Sequence, residues 1–244
     1  MTIASPASIT DRTRRDYCAA CGNALAGTYF ALPDRQERYC SDCIATRPRC
    51  DTCSAPVGNQ HWTLHDHRIQ CTTCHATAIY DPAEAEQLFR ETVGAIIAQL
   101  HLELRIGVSF RLVDVPTMAD IRSQASDGHA PDERVLGLYQ RRGDSRAIFM
   151  LYGLPRLLFR TVIAHEYGHA WQNEHAVHLT DEAMREGFAE WVAYRHLCYL
   201  GCTKAARHLL TSNHPYRPFL EQVIEIERQF GPLGVLDHVR RAGA

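Results

Sequence analysis

Four Cys-x-x-Cys pairs stand in the N-terminal third of this 244-residue chain: Cys18/Cys21, Cys40/Cys43, Cys50/Cys53 and Cys71/Cys74. Successive pairs are separated by 18, 6 and 17 residues. Two residues between cysteines let both thiolates of a tight knuckle point at one ion, and two knuckles close a tetrahedral shell of four sulfurs. Eight such ligands predict two structural zincs. So small a segment cannot bury enough apolar surface to fold alone, so metal has to supply part of its stability. The pairs can combine sequentially, first with second and third with fourth, or in a cross-braced manner. Two loops of near-equal length around a short hinge favour the sequential form.

Eight of the ten cysteines lie between positions 18 and 74. That uneven distribution divides the chain into a zinc-binding module over 15–80 and a second domain over 83–244. Met1–Arg14 contains no apolar run of the kind a secretory signal requires, and nowhere is there an apolar stretch of about 18 residues to span a bilayer. The expectation is a soluble, cytoplasmic protein. In that reducing setting, paired cysteines read as metal ligands rather than disulfides. Net charge is −2, and the module itself balances six Arg against six Asp or Glu between Arg15 and Tyr80. Neither nucleic acid nor an anionic membrane is expected as a partner.

Beyond the module, Asp81-Pro82 precedes a stretch with helical spacing over Ala83 to Leu104. Arg105 to Val115 reads as a strand, Pro116 to Glu133 as a long polar loop, and Val135 to Gln140 and Ala147 to Tyr152 as two strands joined by a hairpin turn. Ala147 to Tyr152 is either an edge strand, to which an extended substrate would add, or only a core strand. A helix then starts near Pro155 and stays apolar through Leu157, Leu158, Val162 and Ile163 before reaching a polar cluster.

That cluster is His165-Glu166-Tyr167-Gly168-His169. Histidines at i and i+4 share a helical face one turn apart, so both imidazoles reach a single ion. Glu166 projects beside the ion and suits a general base, and a zinc-bound water there would have a pKa near roughly 7. Two residues compete for the third ligand position. His175 has the spacing of the metzincin pattern, which turns the chain at a glycine where this sequence has Gln172. If the helix runs on instead, a rise of about 1.5 Å per residue carries His175 roughly 9 Å past His169, out of reach. Glu186 lies on a second helix with an apolar face through Ala183, Phe188, Trp191, Val192 and Leu197, capped by Thr180 or Asp181, and is favoured. Glu190, one turn on, is placed to orient a ligand histidine. Tyr216 is the candidate oxyanion donor.

The paired cysteine modules resemble a LIM domain, although six residues stand between modules and Cys40 stands where a His is common. The Glu186-Gly187-Phe188-Ala189 step is similar to that of gluzincins. Leu151-Tyr152-Gly153-Leu154-Pro155-Arg156-Leu157-Leu158, the block Ala164 to Trp171, and Arg185-Glu186-Gly187 together look like the plant LIM-domain peptidases that limit organ growth, the DA-one family. The C-terminal stretch with Tyr216, Phe230-Gly231 and Leu236 to Arg240 is also similar. This resemblance implies an α+β protein, with a two-zinc LIM-like module followed by a mostly helical gluzincin-like domain carrying a small antiparallel sheet. It implies a zinc-dependent endopeptidase acting on protein substrates, with His165, His169 and Glu186 as ligands, Glu166 as general base and the module as docking unit. It also implies ubiquitin or a ubiquitin-like protein as a partner. In plant members ubiquitin-interacting helices precede the LIM region, whereas the seventeen residues before Cys18 hold no acidic amphipathic helix, so the expectation is a minimal form. The reading from another class is a non-catalytic zinc-binding adaptor, for which a retained Glu166 has no physical purpose.

Overall fold

The computed structural model describes residues 17–31, 37–124, 135–212 and 215–243. The chain separates into two compact units, Met1–Thr77 and Ala78–Ala244.

In the first unit one small motif occurs twice. β1 (Tyr29–Ala31) pairs antiparallel with β2 (Arg38–Cys40), placing Tyr29 opposite Cys40, and α1 (Ser41–Thr46) follows directly. β3 (His61–Thr63) pairs antiparallel with β4 (Ile69–Cys71), placing His61 opposite Cys71, and α2 (Thr72–His75) follows. Each hairpin ends on a cysteine that also caps a helix containing another, Cys43 or Cys74. The buried clusters are minute. One is Cys18, Ala20, Tyr39, Cys43 and Ala55; the other is Cys50, Val57, Cys71 and Cys74. Thiols are therefore much of the interior.

The second unit opens with β5 (Ala78–Ile79) and α3 (Pro82–Leu100). Asp81 caps this helix by accepting from the Glu84 backbone N–H at 2.8 Å, and Pro82 occupies the first turn, where its missing donor costs nothing. The helix stops at His101, which takes up a left-handed φ of 56°. Next come β6 (Ser109–Val113) and α4 (Val115–Ser123). This last helix lies where a loop was expected. Asp114 accepts from the Thr117 N–H at 2.9 Å and Pro116 sits in the first turn, so Pro116 starts a helix rather than breaking one. Residues 125–133 of that expected loop lie outside the described residues.

β7 (Gly137–Arg142) and β8 (Ser145–Leu151) form an antiparallel hairpin whose turn carries Gly143 at φ 56°. β6 pairs with β8 in parallel, giving the order β6-β8-β7. This corrects the edge reading of Ala147 to Tyr152 and leaves the core-strand reading: β8 is the central strand and has no free side. β9 (Leu154–Pro155) pairs with β5.

Four helices complete the unit: α5 (Arg156–His175), α6 (Glu182–Tyr199), α7 (Thr203–Thr211) and α8 (Arg217–Ala242). Of the two cap candidates for α6, Asp181 accepts from the Ala183 N–H at 3.0 Å. α8 kinks at Gly231 and Pro232, where proline lacks the donor to continue the ladder. The core joins sheet residues Ile148 and Met150 to Phe159, Ile163, Tyr167 and Trp171 of α5, Phe188, Trp191 and Val192 of α6, and Val223, Val235 and Val239 of α8. Burying an aliphatic or aromatic side chain contributes about 1.5–3 kcal/mol. This unit thus has a core made of ordinary apolar residues. Among the described residues no helix is long and apolar enough to cross a membrane.

Candidate metal centres

The eight N-terminal cysteines gather into two groups, Cys18/Cys21/Cys40/Cys43 and Cys50/Cys53/Cys71/Cys74, with the sulfurs of each within 4.8 Å of one another. This is the sequential pairing. Cys21 Sγ stands 3.9 Å from Cys40 Sγ, and Cys53 Sγ stands 3.8 Å from Cys71 Sγ. A disulfide needs about 2.05 Å, whereas a tetrahedral ion about 2.3 Å from each thiolate holds neighbouring sulfurs roughly 3.8 Å apart. The donors fit a four-sulfur metal site in both groups. Burial raises the Cys18 thiol, but backbone N–H groups of Cys40, Cys21 and Ala20 outweigh it and bring its pKa down to about 6. Hydrogen bonds from Cys53, Cys71 and Cys74 hold Cys50 far below the thiol range. Cys71 of the second group is also lowered, to about 6, so each group already favours thiolate, the form that binds metal.

A third group forms in the second unit from His165, His169 and Glu186. His165 Nε2 and His169 Nε2 are 3.1 Å apart, and each is 3.5 Å from Glu186 Oε2. Nitrogen and oxygen ligands about 2.0–2.1 Å from a tetrahedral ion lie roughly 3.3 Å from each other, so this trio also fits. Three helical features produce the spacing. The two histidines share a face of α5, Asp181 starts α6 at the register that presents Glu186, and Gly168 lets the helices close. A Cβ on Gly168 would stand 3.0 Å from Ala189 Cα. Burial opposes charge on His165, but Glu186, Glu190 and Glu166 outweigh it and hold the imidazolium pKa well above its ordinary value. Burial likewise opposes ionisation of Glu186, but hydrogen bonds to His165 and His169 keep its carboxyl well below the usual range.

His175 goes elsewhere. α5 continues unbroken to it, its Nε2 donates to the Glu103 carbonyl at 3.0 Å, and its ring stacks on Trp171. Glu174 fastens that last turn, accepting from the backbone N–H groups of Arg105 and Ile106 at 2.7 and 3.1 Å and from Arg146 Nη1 at 3.1 Å.

The remaining residues arrange themselves around the trio. His165 Nδ1 lies 3.2 Å from Glu190 Oε1, and His169 Nδ1 lies 3.0 Å from Gln172 Oε1. Glu166 is buried, and its Oε2 accepts the Tyr139 backbone N–H of β7 at 2.7 Å. Gly137 makes this approach possible, because a Cβ there would sit 2.4 Å from Val162 Cγ1 and 3.0 Å from Glu166 Cγ. Tyr216 stands just before α8 with its ring 6.5 Å from that of His165, nearly parallel. Gly187 permits this too, since its Cβ would come within 2.5 Å of the Phe219 carbonyl oxygen. Gln172 and the Tyr139 amide escaped the sequence reading. A buried glutamine one turn past a ligand has a weak signal, and a backbone donor has none.

Residues 138–215 match the DA1-like family model, described as Protein DA1. Protein DA1-related 1 of Arabidopsis thaliana is 27% identical over 230 residues, covering 76% of this chain and 41% of that relative. Protein DA1 of Arabidopsis thaliana is 25% identical over 203 residues, covering 69% and 38%. The LIM domain-containing protein HDR3 of Oryza sativa subsp. japonica is 25% identical over 200 residues, covering 68% and 40%. The chain thus spans about two fifths of the length of these curated relatives. No solved structure matches.

Proposed function

The chain belongs to the DA1 family with its LIM domain, and from that premise we propose a zinc-dependent endopeptidase of gluzincin type. The observation that carries the proposal is the mutual spacing of 3.1 and 3.5 Å among His165, His169 and Glu186, with the Glu166 carboxylate on the same helix. Zinc is the metal assigned to all three sites, two structural and one catalytic, because thiolate and imidazole donors in tetrahedral sets of this kind suit it. A bound ion would polarise the scissile carbonyl and acidify water in the pocket.

This chain's residues then perform the proton transfers. Tyr139 holds one oxygen of Glu166 through its backbone N–H, leaving the other to take a proton from the attacking water. As water oxygen bonds to the carbonyl carbon and the C–N bond breaks, Glu166 returns that proton to the departing amine. Tyr216 is assigned as the phenol that hydrogen-bonds the carbonyl oxygen as negative charge develops on it. The LIM-like module is assigned to docking of the protein substrate or a partner, and ubiquitin or a ubiquitin-like protein is the regulatory candidate.

Cleavage of an unfolded protein substrate by the full chain tests the reading. Glu166→Gln is expected to retain three ions per chain and lose roughly 100- to 10,000-fold in rate; undiminished cleavage would reject Glu166 as base. Tyr216→Phe is expected to lower kcat roughly 100-fold with little change in KM. The adaptor reading makes the opposite prediction, no cleavage by either protein.

A further inference from the structure

We infer that Gln172 is a positioning residue that decides which nitrogen of His169 faces the metal and couples the two ligand-bearing helices; this rests on the metal-site reading above. Gln172 lies on α5 three residues past His169 and is 4% exposed. Both ends of its amide are used. Nε2 donates to the Arg185 carbonyl of α6 at 2.9 Å, and Oε1 lies 3.0 Å from His169 Nδ1.

The logic of donors and acceptors leaves one arrangement. A carbonyl oxygen only accepts and an amide nitrogen only donates, so the contact with Arg185 settles which way the amide faces. Oε1 is then turned to His169 Nδ1, which must carry the proton. Nε2 keeps its lone pair, and Nε2 is the atom beside His165 and Glu186. Arg185 immediately precedes Glu186, so one side chain orients the histidine ligand and fastens the backbone next to the carboxylate ligand. His165 is oriented differently, by the charged Glu190.

The neutral acceptor at His169 has a physical reason. Glu166, Glu186 and Glu190 are already buried around the trio, and a fourth carboxylate there would carry a desolvation cost and repel the other three. An amide fixes the tautomer without adding charge.

The test measures how tightly the third ion is held in the full chain, by competition with a chromophoric chelator, with the two four-cysteine ions as internal reference. Gln172→Met keeps volume and helix propensity but removes both hydrogen bonds. It is expected to weaken the third ion 10- to 100-fold and leave the other two unchanged. Gln172→Glu keeps an acceptor for Nδ1–H. Its added charge lowers the stability of the metal-free fold, but a bound cation relieves that repulsion, so part of the lost affinity is expected to return, which a purely packing role would not produce. Wild-type affinity in Gln172→Met, or no recovery in Gln172→Glu relative to Gln172→Met, overturns the inference while leaving the metal site in place. A wild-type chain that binds only two ions overturns the metal-site reading itself.

Discussion

The two units reach a folded state by different routes. In the first, the buried clusters consist largely of thiols, and Val57, Ala55 and Tyr39 are among the few other residues they enclose. In the second, Trp171, Trp191, Phe159, Phe188 and Ile163 are fully buried, and the candidate ligands His165, His169 and Glu186 project from helices that this core already holds. One unit encloses mainly thiols that could hold metal; the other has an interior of ordinary apolar residues on which a metal could sit. The difference teaches that similar ligand geometry can serve opposite ends. A closed four-sulfur shell has no coordination position left, whereas three ligands leave one open to substrate or water.

Metal removal tests this contrast most strongly. Structural zinc contributes about 10–16 kcal/mol of apparent binding energy to small domains. Stripping all metal is therefore expected to abolish amide protection over residues 17–77 while the helices of 78–243 stay protected in hydrogen exchange. Protection that persists in the first unit would erase the distinction.

Acid probes the second unit's core. His196 is buried, neither ring nitrogen has a hydrogen-bond partner among the described residues, and burial, helped by the Arg160 charge, lowers its pKa to about 4. Its unfolded value is about 6.5. The unfolded state therefore takes up the proton first, so stability is complete above pH 6.5 and falls as pH drops toward 4. The loss is on the order of 3 kcal/mol. His196→Leu should flatten that part of the pH profile in chemical denaturation, and an unchanged slope would acquit His196.

The smallest effect concerns a close approach. Gly187→Ala places a methyl against the Phe219 carbonyl, with an expected cost of about 1–3 kcal/mol. Because α8 begins at this contact, the variant should also lower catalytic rate through Tyr216 more than it weakens the third ion. Equal loss of both would place the damage at Glu186 instead.

Much of the local organisation is readable along the chain. The spacing of the cysteines and the His165/His169 pair names which side chains can converge, because two-residue knuckles and a single helical turn are short-range geometry. The caps Asp81 and Asp181 and the hairpin at Gly143 follow from equally local rules. Strand order is different. Ala147 to Tyr152 is an unbroken apolar run that suits an edge strand or a core strand equally, and only the pairing with β6 on its second side decides between them. α4 was obscured by its polarity and by Pro116, whose meaning depends on whether the chain before it supplies a cap.

The choice between Glu186 and His175 shows where the boundary lies. From residue types and intervals alone, the chain declares two four-thiol sets and a histidine pair with an acidic neighbour, since such donors at such intervals have few other uses. Whether α5 would turn at Gln172 or run on was decided by contacts that join distant segments: Glu174 held by Arg105, Ile106 and Arg146, and Gln172 reaching across to Arg185. Those partners are separated by 13 to 69 residues, so only packing brings them together, and only packing takes His175 away from the His165/His169 pair.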